Sequence, residues 1–375
     1  MIFVRIPAAA DVLQGKEESY DSFAPTARRR GHTYSCGNIE HVYDIRLTLD
    51  DPWRRQPLEA GPIRLAPMDR SWNEDERAAL VALLRTRAST VTWSEITAEI
   101  TSRGSARALW DELNPAGLFD NDDDPDERSS ALSRAALDIS RWRAADFGFS
   151  TFVDEDYPAQ LREIHEMPPV LFHRGTLAPD EVGVSVVGSR QASTRGLDIA
   201  RSIATGLANR GITVIAGLAK GIDTAAHTAA LDAGGRTVAV IGTGITKVYP
   251  AENRDLQERI ARDGLVLSQF WPDAPPTKHS FPMRNAVMSG FGRATVVVEA
   301  GEHSGARIQA RKAVSHGRPV ILTDLVVDAN KWPADLLGRP GVHVAAGTAE
   351  IMSLIEKITD GPATVNNLLA AATKR

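Results

Sequence analysis

Four short stretches combine glycine, hydroxyl and cationic residues in ways that suit phosphate. The first is Gly188-Ser189-Arg190, followed by Ser193, Thr194 and Gly196. Glycine at a strand exit lets backbone approach an anion with no Cβ in the way. N–H groups of a following helix would point at that anion with the helix dipole behind them, and Arg190 would add a planar bidentate donor. The competing reading is a tight strand-to-helix turn with a Ser or Thr N-cap. The stretch fits neither the dinucleotide fingerprint nor the Walker loop, so it signals an anion without naming one.

The second stretch is Gly217-Leu218-Ala219-Lys220-Gly221-Ile222-Asp223, with Ala226-His227 after it. Lys220 sits between glycines beside the same ligand region. Asp223 reads as an N-cap with His227 one helical turn on. That pair is either acid–base chemistry or, more commonly, a cap and a structural histidine. The third stretch, Gly242-Thr243-Gly244 before Val248-Tyr249-Pro250, is shaped for close approach of backbone or ligand. The fourth is Phe281-Pro282-Met283-Arg284-Asn285, with Glu299 and then Ser304-Gly305 downstream. A guanidinium and an amide beside an aromatic suit a phosphate and a base, and Ser304-Gly305 opens a helix as a second anion nest. Four such strand ends exceed the needs of one small nucleotide and fit a polyanion track.

The elements that must position these residues are legible from Val184 onward. Apolar runs VSVVG, ITVIAG, TVAVIG, LVLSQF, ATVVVEA and PVILTD alternate with helical stretches at Leu197–Arg210, Thr224–Asp232, Asn253–Asp263 and Ala306–His316. Near-continuous Val and Ile runs are strands buried on both faces, which predicts an α/β, doubly wound, mostly parallel sheet. Ligands of such sheets lie at the carboxyl ends of the strands. Upstream, Ser71-Trp72-Asn73-Glu74 fits a capping box opening a small helical domain, with further helices at Trp93–Ile100 and Ser105–Leu113. An acidic stretch, Phe119–Ser130, reads as a solvated linker, and a helix follows over Ser130–Ala145. The expected partition is 1–67 as an unclassified extension, 68–118 helical, 119–150 linker and helix, 151–345 the sheet domain and 346–375 a short helical tail.

Composition bounds the rest. The 375 residues are 43% hydrophobic and 24% charged, and no apolar run approaches the roughly 18 residues of a membrane span. With no signal-peptide pattern and a single cysteine, Cys36, the expectation is a cytoplasmic protein with no intramolecular disulfide or cysteine zinc site. Net charge is −5, yet Ser185–Val320 carries 17 Lys and Arg against 10 Asp and Glu. A basic centre in an acidic chain is either a face for phosphates or ordinary solvated surface.

Taken in order, these motifs carry a family resemblance. Tyr157-Pro158, Leu161, Ile164, Pro168-Pro169 and Val170–Gly175 precede Gly188-Ser189-Arg190, GLAKGID with Ala226-His227, GTGI with Tyr249-Pro250, Phe281-Pro282 with Arg284-Asn285, VVEA and SGA. Over about Asp154–Thr323 the chain resembles the DNA-processing protein A (DprA/Smf) family. That resemblance implies an extended Rossmann-like fold that binds single-stranded DNA in transformation and recombination, with the RecA recombinase as a partner and a homodimer as the assembly. It implies no catalytic residue, cofactor or metal. The candidate DNA contacts are Gly188, Ser189, Arg190, Ser193, Gly217, Lys220, Gly221, Gly242, Gly244, Arg284, Asn285, Ser304 and Gly305, supported by Asp223, His227 and Glu299. The chain departs from the pattern at Ala286, Gln269, Gln309 and Leu322–Gly338, and the expectation is of a short helical tail in place of the winged helix that some members carry near their C-terminus. The alternative is a small-nucleotide sensor or hydrolase on the same fold. Against hydrolysis, Glu299 has no Pro-Gly-Gly-x-Gly-Thr loop before it.

Overall fold

Strands without polar alternation must be covered on both sides, and in the structure they are. This computed structural model describes residues 72–115, 127–178 and 180–359. The 1–67 extension, Ser71, most of the acidic linker and the end of the tail lie outside the described residues. The described strands form one sheet in the order β1-β2-β6-β5-β4-β3-β7-β8-β9. The parallel body comprises β3 (Gly183–Gly188), β4 (Thr213–Ala216), β5 (Thr237–Val240), β6 (Leu265–Ser268), β7 (Ala294–Glu299), β8 (Val320–Thr323) and β9 (Val342–Ala345). β1 (Gly148–Thr151) and β2 (Val170–Gly175) extend it as an antiparallel hairpin beyond β6.

Chain direction decides where a ligand can sit. From β3 the chain winds through α5 (Thr194–Ala208), β4, α6 (Ile222–Asp232), β5 and α7 (Arg254–Asp263) to β6. It then returns through α8 (Ser280–Phe291) to lay β7 on the other side of β3, before α9 (Gly305–Ser315), β8, the short α10 (Asp324–Val327) and β9. The reversal opens a crevice between the carboxyl ends of β3 and β7, at Gly188 and Glu299.

The sheet separates two apolar layers. Val184 and Val186 join Ala200, Ile203 and Leu207 of α5 on one face, whereas Val187 and Val297 join Phe291 and Ala310 on the other. Each of the larger side chains among them, Val, Ile, Leu and Phe, contributes roughly 1.5–3 kcal/mol on burial. A helix over 348–359 closes the first layer with Ile351, Met352 and Ile355.

The N-terminal helices are α1 (Glu74–Thr86), α2 (Trp93–Arg103), α3 (Ala106–Leu113) and α4 (Glu127–Arg143). They share the second layer's core. The expected Ser71 capping box is corrected: Asn73 caps α1, its Oδ1 accepting from Glu76 N at 3.0 Å. Glu76 reaches elsewhere, accepting the Ala106 and Arg107 N–H groups at the start of α3. A capping box does occur at α2, between Thr92 and Glu95. Aromatic rings join these helices to the sheet body. Trp93 and Trp142 both meet Trp271 at 5.6 Å between centroids, and the Arg85 guanidinium lies 5.0 Å from the Trp271 ring.

Candidate functional site

At the switch point the chain leaves a cleft of about 730 Å³, lined by Gly188, Ser189 and Arg190, by Ala219 and Asp223, by Phe281, Arg284 and Asn285, and by Glu302–Ala306. A smaller neighbour of about 70 Å³ shares Arg190, Ala219, Phe281 and Arg284 and adds Gly217, Lys220, Gly242, Tyr249 and Pro250. The structure therefore brings together candidates that lie more than one hundred residues apart in sequence.

The loop after β4 is held by its own acid. Leu218 adopts φ 58°, an uncommon region for a side-chain-bearing residue. Asp223 Oδ2 accepts from Gly217 N at 2.9 Å and Ala219 N at 3.3 Å, while Asn253 Nδ2 donates to the Leu218 carbonyl at 2.9 Å. The N-cap reading of Asp223 is thus corrected. Gly221 occupies the cap position at φ 78°, and Asp223 folds back from inside the helix to staple the loop. His227 does not bond Asp223. Its Nδ1 pairs with Thr237 Oγ1 at 2.6 Å, in the core behind the cleft. Burial, with Arg284 adding to it, pushes the His227 imidazole down to about 3, so it is neutral there.

Arg284 is the central cation. It is 6% exposed, on the second turn of α8, a helix whose Ser280 Oγ donates to the Gly242 carbonyl at 2.6 Å and so fixes its start at the β5 exit. A Cβ on Gly217 would overlap the Arg284 guanidinium, so glycine is required there to let the cation cross the end of β4. Arg284 Nη1 reaches only Met288 Sδ, at 3.5 Å, and Nε has no partner. Burial pulls its pKa below the ordinary arginine value, opposed by the charge of Asp223 and reinforced by Arg190. Burial raises Asp223 in turn, with Arg284 pulling it back.

Arg190 is exposed and makes no hydrogen bond or ion pair to a carboxylate among the described residues, although its charge acts on Asp223. It stands 5.5 Å from the Phe281 ring, which meets Tyr249 at 5.7 Å. Tyr249 is 40% exposed. Phe281 and Tyr249 form an aromatic wall that the sequence reading touched without placing; their signal was an aromatic residue beside each basic or glycine-rich turn. Lys220, also exposed, pairs with Glu252. On the opposite wall, Ser304 caps α9 at its Ala306 N–H, and Gly305 faces open space. Asn285 lines the cleft and is 3.4 Å from the Gly305 carbonyl.

Two expected contacts serve another purpose. Ser193 N and Oγ both donate to the Glu299 carboxylate, at 3.1 and 2.6 Å, and Gly196 leaves room for that carboxylate, which a Cβ would displace. The start of α5, expected to receive phosphate, is therefore occupied by the protein's own anion. Gly244 is buried against the carbonyls of Trp271 and Pro272 and lines neither cavity.

A family model described as DNA recombination-mediator protein A matches residues 148–358. The DNA processing protein DprA of Streptococcus pneumoniae is 44% identical over 171 residues, 45% of this chain and 60% of the relative. Its X-ray structure aligns with 75% of this chain and 95% of its own, at a TM-score of 0.57 and 29% identity. A solved DNA processing protein A from Helicobacter pylori, described by its single-stranded DNA binding mode, shares the fold at 22% identity and a TM-score of 0.50, over 56% of this chain and 97% of its own. The chain spans about half the length of the curated relatives it matches.

Proposed function

The chain belongs to the DNA recombination-mediator protein A family, and on that premise we propose that it binds single-stranded DNA at the carboxyl edge of the sheet, as a non-catalytic module centred on residues 151–345. The observation that carries this reading is a pair of guanidinium groups, Arg190 and the buried Arg284, which share a cleft wall and have no hydrogen-bonded carboxylate among the described residues. Phosphates would answer both charges. The Tyr249–Phe281 wall offers bases a stacking surface, and the start of α9 supplies a second phosphate position. Lys220 joins the track by exchanging Glu252 for phosphate. Gly188, Ser189, Gly217, Gly221, Gly242, Asn285, Ser304 and Gly305 shape it.

Fluorescence anisotropy with a labelled single-stranded oligonucleotide tests the reading. Arg190→Ala and Lys220→Ala are each expected to weaken binding about five- to tenfold and to reduce the salt slope by about 0.7. Salt-insensitive binding, or affinity unchanged in both variants, would sink it. By the family resemblance the proposal extends to RecA as a protein partner, to a homodimer and to a cytoplasmic location. Among the described residues no helix is long and apolar enough to cross a membrane.

One observation favours a second reading. A cleft of about 730 Å³ lies within the range of small-molecule sites, as a nucleotide sensor would need. Mass spectrometry of the purified chain for a co-purifying nucleotide separates the two. Hydrolysis draws no support from Asp223 or His227, since the first is committed to its loop and the second sits in the core.

A further inference from the structure

At the end of α9 remote from the cleft, three potential ligands converge. His165 and Glu166 lie just after the 3-10 turn Ala159–Glu163, and His316 caps the C-terminus of α9. Glu166 Oε2 is 2.8 Å from His165 Nε2 and 2.5 Å from His316 Nε2, so two imidazoles address the same carboxylate oxygen. All three ligand atoms fall within 4.8 Å of one another. The two rings meet edge-on, 5.1 Å between centroids.

The surroundings are built around these atoms. Ser289 Oγ lies 3.1 Å from the Ala286 carbonyl and 2.6 Å from His316 Nδ1. With its single proton given to that carbonyl, the hydroxyl accepts the Nδ1 proton, which leaves Nε2 as the nitrogen that donates to Glu166 and, once a metal displaces that proton to solvent, as the nitrogen that would ligate. The other Glu166 oxygen is held by Lys312. An imidazole fixed through its far nitrogen and a carboxylate fixed through its far oxygen are the outer-shell pattern of metal ligands.

We propose that His165, Glu166 and His316 form a divalent-metal site of the zinc class, with His165 Nε2, Glu166 Oε2 and His316 Nε2 as its protein ligands. Two imidazoles and one carboxylate are a donor set that zinc accepts. At metal–ligand distances near 2.1 Å, tetrahedral ligand atoms stand about 3.4 Å apart. The two spacings to Glu166 Oε2, 2.5 and 2.8 Å, therefore need to open by less than 1 Å, the first by a shift of Glu166 and the second also by the half-exposed His165. The fourth position falls to solvent on the His165 side. The metal would tie the segment before β2 to the C-terminal end of α9, whose other end carries Ser304 and Gly305.

The test uses the full chain, stripped with a chelator and titrated with Zn²⁺ by calorimetry, and with Co²⁺ followed by visible absorption. One equivalent is expected, with Co²⁺ bands of low coordination number and no thiolate charge-transfer band. Affinity should fall at least tenfold in His165→Ala and ten- to one-hundredfold in Ser289→Ala. His303→Ala, at the cleft end of α9, and Cys36→Ser should bind as the parent does. The wild-type spectrum stands even if a variant fails to fold. Absence of stoichiometric Zn²⁺ binding, a thiolate band, or unchanged affinity in His165→Ala would overturn the proposal and leave a hydrogen-bonded triad.

Discussion

Burying a guanidinium is costly unless something answers its charge. Asp223, the acid that acts on Arg284, spends one oxygen on the N–H groups of Gly217 and Ala219. The cleft wall thus keeps a cation that Gly217 alone makes room for. Behind it His227 meets the opposite demand: a core position beside that cation keeps the ring neutral, and its pKa falls from 6.5 to about 3. The sign of the pH effect follows from the depressed folded value. The unfolded chain takes up a proton below 6.5 and the folded chain does not until near 3, so this contribution is full above 6.5 and is lost as pH falls through that window. At pH 5 the loss relative to pH 7 is about 2 kcal/mol. Urea unfolding of wild type and His227→Gln at both pH values checks this, because the variant's pH difference should be smaller by about that amount. Equal pH differences in the two proteins would rule the histidine out as the cause.

The start of α5 shows why element ends must be read with their neighbours in space. The motif Gly188-Ser189-Arg190 with Ser193 and Gly196 had every mark of a phosphate nest, yet Glu299, at the end of the adjacent strand, fills it. Ser193 Oγ also accepts from Gly196 N at 3.0 Å as the N-cap of α5, so Ser193→Ala should lower stability by about 1–2 kcal/mol, by removing that cap and a carboxylate donor, while leaving oligonucleotide affinity within twofold. Anisotropy and thermal melts on the same sample test both halves, and a large loss of affinity would restore the phosphate reading. The sheet itself was legible, because burial on both faces writes continuous Val and Ile runs, and the glycines and acids at their ends mark the ligand edge. What stayed hidden were pairs that only topology brings together. Ser193 and Glu299 are 106 residues apart, and Glu166 and His316 are 150 apart. Local spacing also misassigned two acids and a serine. Asp223 looked like a cap because it stands near a helix start, where Gly221 holds that position, and Ser71 looked like one because a Glu follows three residues on, whereas Asn73 caps α1.

Across the whole chain, charge sets the conditions under which the cleft can act. The net charge is −5, although Ser185–Val320 alone carries a surplus of seven positive charges. The remaining residues are correspondingly acidic and repel DNA whenever screening is weak. At 0.01 M salt the Debye length is about 30 Å, on the scale of a domain, whereas at 0.1 M it is about 10 Å. Binding should thus respond to salt in two regimes. Between about 0.1 and 0.3 M only cations next to the strand count. Displacing counterions at Arg190, Lys220 and Arg284 should give a slope of log affinity on log salt near −2, at roughly 0.7 per contact. Below about 0.03 M the acidic remainder comes into range, and the slope should flatten instead of continuing upward. Duplex of the same sequence should bind more weakly throughout, since paired bases cannot reach the Tyr249–Phe281 wall. A salt series on single-stranded and duplex oligonucleotides distinguishes the outcomes. A slope steeper than about −4 would mean that cations outside the cleft carry the binding. A slope near zero would mean that Arg190 and Arg284 answer to something other than a DNA backbone.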